Sequence, residues 1–348
     1  MSRDRLVRCA RCVAVAVLLA ALPACGESGD AERRSYILTT ASTGGTYYPV
    51  GVAISTLVKL KLQEQQGISL SAINSAGSGE NIKLLHTGEA EFALVQGLFG
   101  VWARTGEGAY GRRGPALNLR SITMLWPNVE HFIVDRSLVK DGTLSDLAGL
   151  KGATFAVGNR NSGAAQSTRM NFDSLGLQDG RDLNFAYLTY SAAADALRNG
   201  TIAGFSAPAG APVSAVARAF AASGDSIALL SVSDEERARF NEEVGLWFPY
   251  IVAANSYPGV THDVRTAAQP NFLAVNADVD EEVVYQITRV IFENLPFLHS
   301  VHRATRSIRL ETAVGGLPVP LHPGAVRYYR EQGIDIPQSL IVEGPDGE

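Results

Sequence analysis

The sequence predicts an α/β protein of two similar lobes around a central cleft, and three observations predict it. After residue 35 an apolar strand, a small-residue loop and a helix succeed one another repeatedly. Residues 84–97 (LLHTGEAEFALVQG) and 196–210 (ALRNGTIAGFSAPAG) share one pattern of helix end, Gly, short apolar strand and small polar turn. Two extended stretches, 126–135 (WPNVEHFIVD) and 247–254 (WFPYIVAA), set Trp and Pro beside apolar runs, as segments crossing between lobes would.

The elements follow in order. Tyr36–Ala41 reads as a strand running into Ser42-Thr43-Gly44-Gly45-Thr46. A helix with Val50, Ile54, Leu57 and Val58 on one face comes next, with Pro49 in its first turn, where a missing N–H costs little. Ile68–Ile73 repeats the design, followed by Ser75–Gly79 and a helix through Ile82, Leu84 and Leu85 that Gly88 stops. Phe92–Val95 is a short buried strand. In the second half, Thr154–Val157 leads through Gly158–Gly163 into a helix reaching Leu175. Phe185–Leu188 precedes a helix carrying Ala193, Ala196 and Leu197, and Phe205 opens the turn Ser206–Gly210. Phe272–Val275 is a last strand. Asp280–His299 reads as one long amphipathic helix, and a closing helix spans about 324–332 behind Pro323.

The first 25 residues carry an address. Arg3, Arg5, Arg8 and Arg11 precede the apolar run 12–21 (CVAVAVLLAA), the pattern of an export signal and too short to span a bilayer. Leu22-Pro23-Ala24-Cys25 resembles the bacterial lipobox, after which Cys25 becomes the acylated first residue. The expected organisation is therefore a signal peptide over 1–24 and a lipidated Cys25 with a flexible tether over 25–34. Lobe 1 then covers 35–127, lobe 2 covers 128–250, and 251–348 returns to lobe 1 with the C-terminal helices. Cys9 and Cys12 leave with the signal, so their C-x-x-C spacing is no metal or redox site.

Composition excludes several classes. The 348 residues are 46% hydrophobic and 19% charged, and Gly and Pro are near average usage, which excludes collagen and wholly disordered chains. Net charge is −5 without a basic block, offering nothing to nucleic acid. No Rossmann fingerprint, phosphate-binding G-x-x-x-x-G-K-[ST] or G-x-S-x-G is present. The six His are scattered, and His299 with His302 has no Cys or carboxylate beside it to complete a metal set. No catalytic residue, cofactor or metal is expected.

What remains are four loops that follow strands and open helices: 42–46, 76–81, 159–163 and 207–210. A helix start offers unpaired N–H groups and the positive end of a dipole, and the crevice outside strand carboxyl ends is where α/β sheets bind ligands. Each loop alone would serve equally as a cap or turn; four in register point to a small anionic or zwitterionic ligand. Arg160 could pair with a carboxylate or face solvent. Tyr47, Tyr48 and Tyr190 could form walls or ordinary core. Gln96, ending a buried strand, could fix a polar ligand.

The segments Thr43-Gly44-Gly45-Thr46-Tyr47-Tyr48-Pro49, Gly77-Ser78-Gly79-Glu80-Asn81, Leu147–Gly152 and Leu321-His322-Pro323-Gly324-Ala325 resemble TAXI proteins. These are the solute-binding subunits of one branch of TRAP (tripartite ATP-independent periplasmic) transporters. The resemblance runs from Tyr36 to Gly333, departing at Gly158–Asn161 and Ala203-Gly204. It implies a type II periplasmic-binding-protein fold closing on a ligand such as glutamate, glutamine or a 2-oxoacid-type dicarboxylate, and delivery to an ion-driven membrane permease. The family's binding positions then fall on Ser42, Thr43, Gly45, Thr46, Tyr47, Ser78, Gln96, Ser162, Gly163, Ala209 and Gly210, to which the loop reading adds Arg160. The expected protein is a monomeric, lipid-anchored extracytoplasmic receptor. A sensory lipoprotein signalling to a receptor kinase would present the same pocket. A hydroxymethylbilane-synthase-like enzyme would need a Cys for its cofactor, which the mature body lacks, and a structural lipoprotein would have no use for four crevice loops.

Overall fold

The computed structural model describes residues 33–111 and 114–342; the signal peptide expected over 1–24, the expected lipidation site Cys25 and most of the expected tether lie outside them. The chain enters at β1 (Arg34–Thr39), whose register sets Leu38 beside Ala72 of β2 (Ile68–Ile73) and beside Phe92 of β3 (Phe92–Gln96), all parallel. Helix α1 (Tyr47–Gln66) joins β1 to β2, buries Val50, Ile54, Leu57 and Val58, and ends at Gly67 in the left-handed conformation that glycine adopts without strain. Helix α2 (Ser78–Thr87) leads to β3, and α3 (Gly97–Thr105) follows it directly. After β4 (Leu119–Met124) the chain leaves this half through β5 (Asn128–Val129).

The second half forms its own sheet from β6 (Phe132–Asp135), β7 (Thr154–Ala156), β8 (Asn184–Ala186), β9 (Gly204–Ser206) and β10 (Ile227–Leu230). Helices α4 (Gly163–Ser174), α5 (Tyr190–Arg198), α6 (Ser214–Ser223) and α7 (Asp234–Phe240) cover it. The chain then passes through β11 (Phe248–Val252) and β12 (Val264–Gln269) into β13 (Asn271–Asn276), and closes with α8 (Glu281–Glu293), α9 (Leu295–Val301) and α10 (Pro323–Glu331).

Strand order shows why the two halves read alike in sequence. The first sheet is β2-β1-β3-β13-β4 and the second, from its other edge, β8-β7-β9-β6-β10. In each, three parallel strands meet an inserted antiparallel strand and then an edge strand. The repeated segments 84–97 and 196–210 contain β3 and β9, which occupy the same place in their sheets. This is the two-lobed α/β architecture of the type II periplasmic binding proteins. Three buried apolar clusters fill the halves, one around the first sheet and α1, α8 and α10, and two on the second sheet.

Two expectations need correction. The stretch 247–254 is not the return crossing. It holds β11, the outer strand of a three-stranded sheet β11-β12-β5, and Asp263 accepts the Ala254 N–H (2.8 Å), so the chain doubles back. The return runs through β12 and Pro270, and the first sheet is rejoined at Asn271 rather than at 251. The single helix expected over 280–299 is two, broken at Asn294: Pro296 has no N–H to donate, and its ring clashes with the carbonyl one turn earlier.

Where the halves join, two buried titratable groups sit on the outgoing segment. Glu130 accepts a hydrogen bond from the Trp247 indole (2.9 Å); burial pushes its carboxyl up to about 7, against the opposing pull of Trp247, Gln269 and Asn171. His131 is fully buried, with Nδ1 against the Val129 carbonyl (2.8 Å) and Nε2 against the Tyr257 hydroxyl (2.7 Å). That hydroxyl in turn accepts the Val213 N–H (3.0 Å). Burial pushes the imidazole down to about 4, so it is neutral, donating from Nδ1 and accepting at Nε2.

Candidate functional site

The four small-residue loops converge. One cleft between the halves is lined by Ala41, Ser42, Gly45, Thr46 and Tyr47; by Ala76, Gly77 and Ser78; by Asn159, Ser162, Gly163 and Ala164; and by Pro208 and Ala209. Gln96, Asn128, Thr189 and Tyr190 complete it. The starts of α1, α2, α4 and α5 therefore open on a single space, two from each half.

Local chemistry holds these loops. Asn81 clamps its loop to the ends of β1 and β3: its amide donates to the carbonyls of Thr40 (2.6 Å) and Leu94 (2.8 Å), and its oxygen accepts from Thr39 Oγ1 (2.8 Å). Ser162 caps α4 by accepting the Ala165 N–H (2.9 Å), and Thr189 caps α5 at Ala192 (3.2 Å). The caps of α1 and α2 use no side chain. Thr46, at the start of α1, instead gives its hydroxyl to the Gly210 carbonyl (2.7 Å), reaching from the first half to the second. Two further bonds bridge the halves, Glu80 N–H to the Asn161 carbonyl (3.1 Å) and Ala215 N–H to the Gly44 carbonyl (3.2 Å). The halves are closed on one another.

Side-chain hydrogen bonding within the cleft is largely committed. The Tyr47 hydroxyl, whose pKa burial raises, donates to Asn271; Tyr190 donates to the Pro208 carbonyl (2.8 Å); Ser162 donates to the Asn159 carbonyl (2.7 Å); and Ser78 accepts the Gln96 N–H (3.0 Å). Gln96 differs. The residue is 2% exposed, and neither Nε2 nor Oε1 has a hydrogen-bond partner among the described residues. A buried carboxamide left so is costly, by about 1–3 kcal/mol per group, unless something enters to pair with it. Among the described residues no charged side chain lines the cleft.

Nine of the twelve sequence-derived positions line this space: Ser42, Gly45, Thr46, Tyr47, Ser78, Gln96, Ser162, Gly163 and Ala209. Three do not. Thr43 is exposed one residue before the buried Gly44–Thr46 segment. Gly210 lies behind the wall, where its carbonyl serves Thr46 and a Cβ would stand 2.5 Å from the Trp126 ring. Arg160 is exposed and its guanidinium stacks on Tyr187, 4.2 Å from the ring centroid, so an aromatic face rather than the cleft holds it. Sequence reasoning missed Ala41, Asn128, Ala164 and Thr189 as lining residues. Asn128 lies in the outgoing crossover, whose polar residues at 128 and 130 interrupt an apolar run, and that interruption was the available signal.

Among the described residues no helix is long and apolar enough to cross a membrane, and no group of three or more His, Cys, Asp or Glu could hold a metal ion. Among solved structures, the chain is similar to the periplasmic binding protein BugD, at 11% identity and a TM-score of 0.52 over 87% of this chain and 94% of that one. It is similar to XAC2383 from Xanthomonas citri bound to ATP, at 14% identity and a TM-score of 0.50 over 85% and 94%. A third is the periplasmic aliphatic sulphonate binding protein SsuA from Escherichia coli, at 12% identity and a TM-score of 0.43 over 86% and 83%. At these identities the likeness is one of fold. The family model for NMT1-like proteins matches residues 38–333. With that match over residues 38–333, the chain belongs to the NMT1-like family.

Proposed function

We propose that the protein is the extracytoplasmic receptor of an ion-gradient-driven TRAP transporter. It is tethered through lipidated Cys25 and captures a small carboxylate of the glutamate, glutamine or 2-oxoacid kind by closure of its two halves. The observation that carries the ligand reading is the meeting of four helix starts around an uncharged cleft that contains the unpartnered Gln96 carboxamide. First-turn N–H groups have no partner within their own helix and carry the positive end of the dipole, so a carboxylate is stabilised there without a countercharge. A ligand touching both halves favours the closed arrangement by its differential contacts, which the Thr46–Gly210 and Glu80–Asn161 bonds reinforce. The permease assignment is supported by the TAXI-like T-G-G-T-Y-Y-P and L-H-P-G-A segments, and the tether by Leu22-Pro23-Ala24-Cys25.

Mass spectrometry of the ligand carried through native purification is the direct test, joined to thermal melting against amino acids, mono- and dicarboxylates, alkanesulfonates and phosphonates. One organic acid should stabilise strongly, by about 4 kcal/mol at a thousandfold excess over its Kd. A flat screen, or stabilisation only by sulfonates or phosphonates, refutes the carboxylate reading. Uptake into proteoliposomes that requires ATP refutes the permease reading.

A further inference from the structure

The polar groups that the cleft leaves uncommitted are neutral and two-sided. Both Gln96 atoms, one donor and one acceptor, are buried and unpaired, and Asn128 adds a second carboxamide to the wall. The hydroxyls of Thr46, Tyr47, Tyr190 and Ser162 already donate to protein acceptors. Helix starts can hold one carboxylate, but among the described residues no Lys, Arg or His lines the cleft to receive a second. Burying a second full negative charge there without a partner costs several kcal/mol, and it would leave Gln96 Oε1 facing an acceptor.

We infer that the ligand is a small monoanion: one carboxylate seated on the helix starts, and a neutral group that both donates and accepts, an amide or a hydroxyl, paired with the Gln96 carboxamide. This rests on the binding-receptor reading above and narrows its ligand, selecting acid amides and hydroxy acids against dicarboxylates of the same shape.

The test is a set of near-isosteric probes measured by calorimetry and thermal melting on the protein freed of co-purified ligand: succinamate against succinate, glutaramate against glutarate, and 2-hydroxybutyrate against butyrate. The native protein should bind the amide or hydroxy monoanion at least tenfold more tightly than its counterpart in at least one pair. Gln96→Met, which replaces an unpartnered carboxamide by an apolar chain of similar length, should fold normally and shrink that ratio to threefold or less. Gln96→Glu should weaken every acid. A diacid bound as tightly as its monoamide, or a ratio that Gln96→Met leaves unchanged, overturns the inference while leaving the receptor reading intact. Failure of all six probes and of every other carboxylate to bind removes the receptor reading itself, and the inference with it.

Discussion

Gly79→Ala separates closure from folding. Gly79 is in the first turn of α2, and a Cβ there would stand 2.3 Å from the Asn161 carbonyl oxygen, 3.1 Å from its carbon and 3.2 Å from Phe99 Cε1. Asn161 belongs to the opposite half and the obstacle is backbone, so no side chain can swing aside. The halves must part by about 1 Å locally, stretching the neighbouring Glu80–Asn161 bond. Overpacking of this kind costs about 1–3 kcal/mol, which is roughly a 5- to 150-fold loss of ligand affinity. Within its own half the close neighbour is Phe99 Cε1, a side-chain atom that must give by a few tenths of an ångström, and Ala is preferred to Gly in a helix by up to about 1 kcal/mol, so the unliganded melting temperature should stay near the native value. Calorimetry with the identified ligand, beside thermal melting of the free protein, reads the two effects apart. A Gly79→Ala variant that folds normally and binds within twofold of the native protein would refute closure of the halves as the binding step.

Further outcomes follow from the same geometry. Glu130, raised to about 7 from 4.5, makes the fold lose stability as pH rises from 4.5 to 7. His131, lowered to about 4 from 6.5, makes it gain stability from 4 to 6.5, so the two oppose one another between about 4.5 and 6.5. Glu130→Gln should unmask the imidazole, with stability by urea denaturation rising by roughly 3 kcal/mol from pH 4 to 6.5; a flat profile would contradict this pairing. Tyr257→Phe strands His131 Nε2 and the Val213 N–H in the interior and should cost about 2 kcal/mol or more, read as a lowered melting temperature. Arg160→Ala should leave ligand affinity within twofold, because its guanidinium rests on Tyr187; a tenfold loss would return it to the site.

The legible part of this molecule is its local chemistry. Ser42–Thr46 and Gly158–Gly163 could be placed at helix starts because cap and turn residues act within three or four positions of themselves, as Ser162 does on Ala165. Gln96 was legible as the last residue of an apolar strand. Asn128 was not, since its place on the cleft is fixed by the pairing of Val129 with Ala209, far along the chain. Arg160 was undecidable in sequence because its partner, Tyr187, follows a different strand. The β11–β12 hairpin was missed for a related reason. The stretch 247–254 looks like a crossover locally, and only the register of β11 on β12 from Phe248–Ala268 to Val252–Val264 shows that it turns back.

The position of β13 bears on how the chain reaches this state. It lies between β3 and β4 and pairs with both, so the amino-terminal sheet stays split until residues 271–276 are available. The other sheet needs nothing beyond Leu230. A chain emerging in order can therefore complete its middle portion first, while its opening portion waits as an unfinished surface for a late strand to be threaded in. Such delayed, long-range pairing slows assembly, and if residues 1–24 act as the export signal their sequence predicts, slow assembly would keep the chain loose enough to be moved.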